Sequence, residues 1–171
     1  VSANREGDSE RNIIVWMDHR ALDETEYLNS FGKEFSIYGF VGGKLSPEMQ
    51  MPKLLWIKKN LPNSWDQTKH FFDLPDYLTY KATGSYVRSL CSLSCKWTYL
   101  KDKGWDQDYL EKIGLGDLAD NSFSKLGTDV YPMGHSIGEG LNSIAAKEMG
   151  LMEGTPVGVS IIDAHAGGIG M

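Results

Sequence analysis

Two short β-branched runs, each delivering an aspartate to its end, constrain this chain more than any other feature. Asn12–Met17 leads into Asp18-His19-Arg20, and Val157–Ile162 leads into Asp163-Ala164-His165-Ala166-Gly167-Gly168. Neither run alternates polar with apolar residues, the pattern of strands buried on both faces of a sheet. Helical signals fill the interval. Ser46-Pro47-Glu48 reads as an N-cap, a first-turn proline and an acid at the positive helix end. Pro52 is expected to start a second helix carrying Leu54, Leu55 and Ile57 and stopping by Pro62. Asp73-Leu74-Pro75-Asp76 repeats the start signal and Gly84 supplies the stop after Tyr77–Thr83. Further helices are predicted over Gln107–Ile113 and Ile137–Met149, the latter ending at Gly150. Strands alternating with helices predict an α/β fold with an at least partly parallel sheet.

The 171 residues suit one domain, and 41% hydrophobic with 23% charged residues is ordinary for a globular protein. A net charge of −6 repels phosphate backbones, which argues against nucleic acid and anionic membrane as partners. No apolar run approaches the ~18–20 residues that span a bilayer. The first ten residues have neither the basic start nor the apolar stretch of a signal peptide. Two cysteines, Cys91 and Cys95, are too few for a disulfide framework, and a zinc site would call for a second ligand pair. They read as small buried hydrophobes in a reducing, cytoplasmic protein without a metal. Both ends are expected to be cut, since the chain opens in a polar stretch at Val1 and stops at Met171 where a helix is about to begin.

Asp163 is the residue best suited to chemistry. Ligands of open α/β sheets bind beyond strand ends, and the glycines after it let backbone approach an anion. The same pattern also suits an aspartate that caps the following helix. Asp18, His19 and Arg20 offer acceptors and fork-shaped donors for a polyhydroxylated ligand, or equally a cap with a surface ion pair. Lys96, beside Trp97, is either a solvated side chain lying along the indole or a donor aimed into a cleft. Gly42-Gly43-Lys44-Leu45 is not a P-loop, because no glycine lies five residues before Gly43 and Leu45 replaces the magnesium-binding hydroxyl. Asp163 and His165 with Asp18, His19 and His135 leave a metal-dependent hydrolase as a competing reading.

Taken in order, these segments resemble the FGGY carbohydrate kinases, particularly the ribulokinase-like branch. The resemblance runs through Trp16-Met17-Asp18-His19-Arg20-Ala21, Gly42 to Met49, Pro52-Lys53-Leu54-Leu55-Trp56 and Asp76-Tyr77-Leu78-Thr79 with Thr83-Gly84. It continues through Lys96-Trp97, Gly150-Leu151, Gly154-Thr155-Pro156-Val157 and Asp163 to Gly168. Glu48 and Gln50 depart from the smaller or aromatic residues usual in the family. The resemblance implies an actin-like, ribonuclease-H-like ATPase fold of two domains, with residues 1–171 an incomplete N-terminal sugar-binding domain and the C-terminal ATP-binding domain outside the chain. It implies phosphorylation of a ketopentose such as ribulose, or a related sugar or polyol, using ATP and Mg²⁺ held mainly by parts outside the chain. By the same resemblance Asp163 matches the catalytic base and Lys96 a sugar contact. Asp18, His19 and Arg20 match the motif near the sugar pocket, while Gly167 and Gly168 would admit the transferred phosphate. The isolated chain is then expected to be a non-catalytic fragment or binding module.

Overall fold

A run of apolar residues wider than one helix face has to lie inside the molecule, and Gln50–Asn60 carries one: every residue from Met51 to Ile57, Lys53 included, is buried. The computed structural model describes residues 1–171, and this helix is the third of ten. In chain order the elements are α1 (Leu22–Asn29), α2 (Ile37–Phe40), α3 (Gln50–Asn60), α4 (Pro62–Gln67), α5 (Leu74–Thr83), β1 (Arg88–Ser89), α6 (Leu90–Lys96), α7 (Gln107–Lys112), α8 (Asp120–Phe123), β2 (Val130–Tyr131), α9 (Ser143–Met149) and α10 (Asp163–Ile169). The chain divides into two units, Val1–Lys69 with Lys96–Lys125, and His70–Cys95 with Leu126–Met171.

In the first unit α3 packs on α1 and α4. Leu28, Leu54, Leu55, Trp65, Leu110, Ile113, Leu115 and Leu118 are all less than a tenth exposed. Truncating one of the α3 leucines to alanine would cost ~2–5 kcal/mol. Pro62 does stop α3, and it also begins α4, where a first-turn proline loses no hydrogen bond. Ser46-Pro47-Glu48 forms only a turn, closed by the Met49 amide on the Ser46 carbonyl, so a single helix from Gln50 replaces the two that the prolines suggested. The helix over 107–112 forms with Asp106 as its N-cap, the carboxylate accepting from the Tyr109 amide at 2.9 Å.

The second unit holds the one sheet, a parallel pair in which Arg88 faces Val130 and Ser89 faces Tyr131. α5 starts after Asp73 and ends on Gly84 at φ +80°, as its start and stop signals require. α9 begins only at Ser143, where Asn142 accepts from the Ala145 amide. The six residues before it, expected to be helical, instead form a non-helical arm with a turn from Ile137 to Gly140 that exchanges backbone hydrogen bonds with residues 154–159. Gly140 makes that arm possible. Its φ is +86°, and a Cβ there would stand 2.4 Å from the Thr155 carbonyl oxygen, so no other residue fits.

Neither apolar run becomes a regular strand. Residues 157–159 keep an extended path, with a single antiparallel bridge from Ser136 to Gly158. Asn12–Met17 makes no ladder, because it has no neighbouring strand within residues 1–171 and Lys53 occupies its carbonyls. The Lys53 ammonium donates to Val15 O at 2.7 Å and Trp16 O at 3.0 Å. Val15, Trp16 and Met17 are more than half exposed rather than buried on both faces. No helix is long and apolar enough to cross a membrane.

Candidate active site

In the first unit a charged cluster assembles around Lys53, a cation that the sequence hides in the middle of an apolar helix. Burial pushes its ammonium below the usual lysine range, Asp18 and Glu48 oppose that, and the nearby positive charges of Lys96 and Arg20 reinforce it. Asp18 is gripped by Arg20. The guanidinium reaches one carboxylate oxygen at 2.7 Å through Nη2 and at 2.9 Å through Nε, and the Arg20 amide donates to the other at 3.0 Å. Burial pushes the Asp18 carboxyl up, but these hydrogen bonds, together with the charges of Arg20 and Lys53, outweigh it and hold the group below the usual carboxylate range. Arg20 also lies over the Trp56 ring at 4.3 Å and donates to Ala3 O, lining an open groove with Asn4, Arg5, Glu6 and Trp56. His19 stands 3.7 Å from Glu48. Lys96, half-buried, closes α6.

Asp18, His19, Arg20 and Lys96 are thus brought into one neighbourhood by two further residues that sequence reasoning passed over, Lys53 and Glu48. The legible signal was a lysine set among six apolar neighbours, Met51 to Ile57, which is buried only when partners wait for it. Such a cluster of fixed donors and acceptors suits the hydroxyls of a small polar ligand.

In the second unit Asp163 is exposed and is the first residue of α10, not its N-cap, which is Ile162. It makes no ion pair, and its carboxylate accepts only from the adjacent Ala164 amide at 2.8 Å. The segment leading to it is anchored by a buried acid. Asp76, 1% exposed, accepts from the Ser89 amide at 3.0 Å and from the Ser160 hydroxyl at 2.8 Å, three residues before Asp163. The Ser89 hydroxyl in turn donates to Ser160 O at 2.6 Å. Burial pushes the Asp76 carboxyl up to about 6, against the pull of those two bonds and of the Arg88 charge. Arg88 is equally buried and is pushed down to about 10 by desolvation, so it stays cationic at neutral pH. Its guanidinium donates to Leu126 O and Phe71 O and lies 3.7 Å from the centre of the Phe72 ring.

Gly167 and Gly168 lie within α10, and a Cβ at either would meet nothing within 4 Å. His135 is stacked on Tyr131 with ring centres 4.2 Å apart and planes nearly parallel. The histidines and aspartates of the hydrolase reading are divided, Asp18 and His19 in the first unit and His135, Asp163 and His165 in the second. The side chains that do come together as potential metal ligands are Cys91, Cys95 and His165. Cys91 is only half-buried and Cys95 is exposed, so the reading of both as buried hydrophobes is corrected.

The FGGY family of carbohydrate kinases, N-terminal domain, matches residues 4–170. The chain belongs to this family. An FGGY carbohydrate kinase domain-containing protein from Homo sapiens is 52% identical over the whole chain, and a D-ribulokinase from Saccharomyces cerevisiae is 44% identical over 95% of it. The FGGY chain spans 31% of the length of the human relative and 24% of the yeast one. Among solved structures, a ligand-bound xylulose kinase from Lactobacillus acidophilus superposes with a TM-score of 0.73 over 95% of this chain and 32% of that one, at 20% identity. That likeness carries the fold alone, an actin-like domain. The family membership across residues 4–170 takes the place of the hydrolase reading.

Proposed function

We propose that this domain is the sugar-gripping part of an ATP-dependent kinase that phosphorylates a terminal hydroxyl of a ketopentose, ribulose foremost, or of a related polyol. The family membership across residues 4–170 supports the reaction class. The relatives named D-ribulokinase and ribulokinase, 44% and 31% identical, support the substrate. The observation that carries Asp163 as the base is its state in the fold: exposed, unpaired and at the start of a helix. A carboxylate already held by a cation is a weak base toward an alcohol; one facing solvent is available to a sugar hydroxyl. It orients that hydroxyl and takes its proton as the O–P bond forms. Within the first unit, Asp18, Arg20 and Lys53, with His19 and Glu48 beside them and the charge of Lys96 near Lys53, offer donors and acceptors suited to sugar hydroxyls.

ATP supplies the phosphoryl group and Mg²⁺ its charge neutralisation. Mg²⁺ takes carboxylate and phosphate oxygens. One or two carboxylates beside the phosphates suffice to hold it, and we assign those mainly to parts outside residues 1–171. The test is a panel of pentuloses and pentitols offered with ATP to the full-length protein, reading ADP release. Turnover with ribulose above all others is the expected result. Turnover confined to hexoses or glycerol overturns the substrate, and none with any sugar overturns the activity. The 171-residue chain alone is expected to release no ADP with ribulose.

A further inference from the structure

The second unit carries a cluster that sugar phosphorylation does not use. Cys91 and Cys95 are four residues apart on α6, so one turn of helix brings both thiols to the same face. His165 on α10 comes to meet them: its Nδ1 lies 3.1 Å from Cys91 Sγ, and the three ligand atoms all lie within 4.8 Å of one another. Both cysteines are reduced.

We propose that Cys91, Cys95 and His165 form a binding site for a zinc ion. Two thiolates and an imidazole are the donor set of a borderline-soft d¹⁰ cation, whereas Mg²⁺ and Ca²⁺ call for oxygen. Tetrahedral zinc, with Zn–S of about 2.3 Å and Zn–N of about 2.1 Å, sets its ligand atoms about 3.5–3.8 Å apart. The observed spread brackets that spacing, so side-chain rotation closes the site without moving either helix. Each thiol releases its proton to solvent as its bond to zinc forms. Three protein ligands leave a fourth position. Cys95 and His165 are exposed, so water or a small anion fills it, and the metal exchanges rather than being locked in as in a four-ligand structural site. Zinc here ties α10 to α6 through His165. His165 lies two residues from Asp163 on α10, but the site is read out by binding, so its test is independent of the proposed kinase activity.

The experiment is a titration of the reduced, chelator-treated 171-residue chain with Co²⁺ and then Zn²⁺, in competition with a chromophoric chelator. The same titration is run on the full-length protein, where differences between variants isolate this site. One equivalent of Co²⁺ is expected, with an intense near-ultraviolet thiolate-to-cobalt band that zinc abolishes. Cys91→Ser, Cys95→Ser and His165→Asn are each expected to weaken zinc at least ~100-fold, the upper end of what loss of a mere outer-shell partner costs. His135→Asn, which alters a histidine outside the cluster, is expected to leave it unchanged. Thermal unfolding of each metal-free variant checks its fold. Less than one equivalent bound, or no thiolate band, overturns the site. Undiminished affinity in His165→Asn reduces it to a dithiol and overturns it equally.

Discussion

Asp18 and Asp163 occupy the same sequence context, an aspartate at the end of a short apolar run with a histidine close behind, and the fold treats them in opposite ways. Asp18 is tied to Arg20 by both carboxylate oxygens and held ionised. Asp163 has no cation and faces solvent. The difference separates two tasks. A carboxylate whose lone pairs are committed makes a rigid acceptor, good for holding a hydroxyl in place. One whose lone pairs are free is able to accept a proton. The burden of catalysis should therefore fall on Asp163, and that of binding on Asp18 and its neighbours.

The largest expected effect breaks the comparison on the Asp163 side. In the full-length protein Asp163→Asn should lower kcat by about 10²–10⁴-fold, the range of a positioned general base, with KM for the sugar little changed. Steady-state kinetics across sugar concentrations measures both. A variant with near-normal kcat and intact folding would remove Asp163 from the chemistry.

Next in size is the anchor behind Asp163. Asp76 is pushed up to about 6 from 3.8, so its folded form holds a proton more tightly than its unfolded form. Its stabilising contribution is fully present below about pH 3.8 and is lost as pH rises through about 6. A shift of that size corresponds to at most about 3 kcal/mol. Asp76→Asn keeps an acceptor for the Ser89 amide and the Ser160 hydroxyl but removes the titration. It flattens the slope, because the amide has no proton to lose between pH 4 and 7, and below about pH 6 the wild-type group is itself neutral. Thermal melts of both proteins from pH 4 to 7 should show the wild type losing ground to the variant as pH rises. Parallel curves would mean that Asp76 stays ionised throughout.

Much of this was legible in the sequence where local chemistry decides the structure. Asp73 with Pro75 and Gly84 bracketed α5, Pro62 ended α3, and Gly150 closed α9 in the left-handed conformation. The parallel pairing followed from the alternation of elements, but its place did not, because Arg88–Ser89 and Val130–Tyr131 are two-residue strands with no periodicity to read. The runs ending at Asp18 and Asp163 misled for the opposite reason. Their composition suits a sheet interior, but a ladder needs neighbours, and here a lysine takes the carbonyls of one while the other finds only an arm of chain. Lys53, Glu48 and Asp76 were missed because each gains its role from a tertiary partner far along the chain. The Cys91–Cys95 pair looked inert until His165, 70 residues beyond Cys95, came within reach.

The smallest effect tests the Asp18 side. Asp18 is partly shielded, but Arg20 is 38% exposed, so the pair is screened by solvent and its loss should cost about 1 kcal/mol or less. The folded carboxyl lies below its ordinary value, so whatever it contributes is present above pH 3.8 and disappears only as pH falls further. At neutral pH, Asp18→Asn should therefore melt close to the wild type. Its kinetic effect should be a several-fold rise in KM for the sugar with kcat nearly intact, because an amide still accepts one hydroxyl but no longer fixes Arg20 over Trp56. The two aspartates then differ in kind, one moving kcat and the other KM. If Asp18→Asn lowers kcat as far as Asp163→Asn does, the division of labour between a committed and a free carboxylate is wrong.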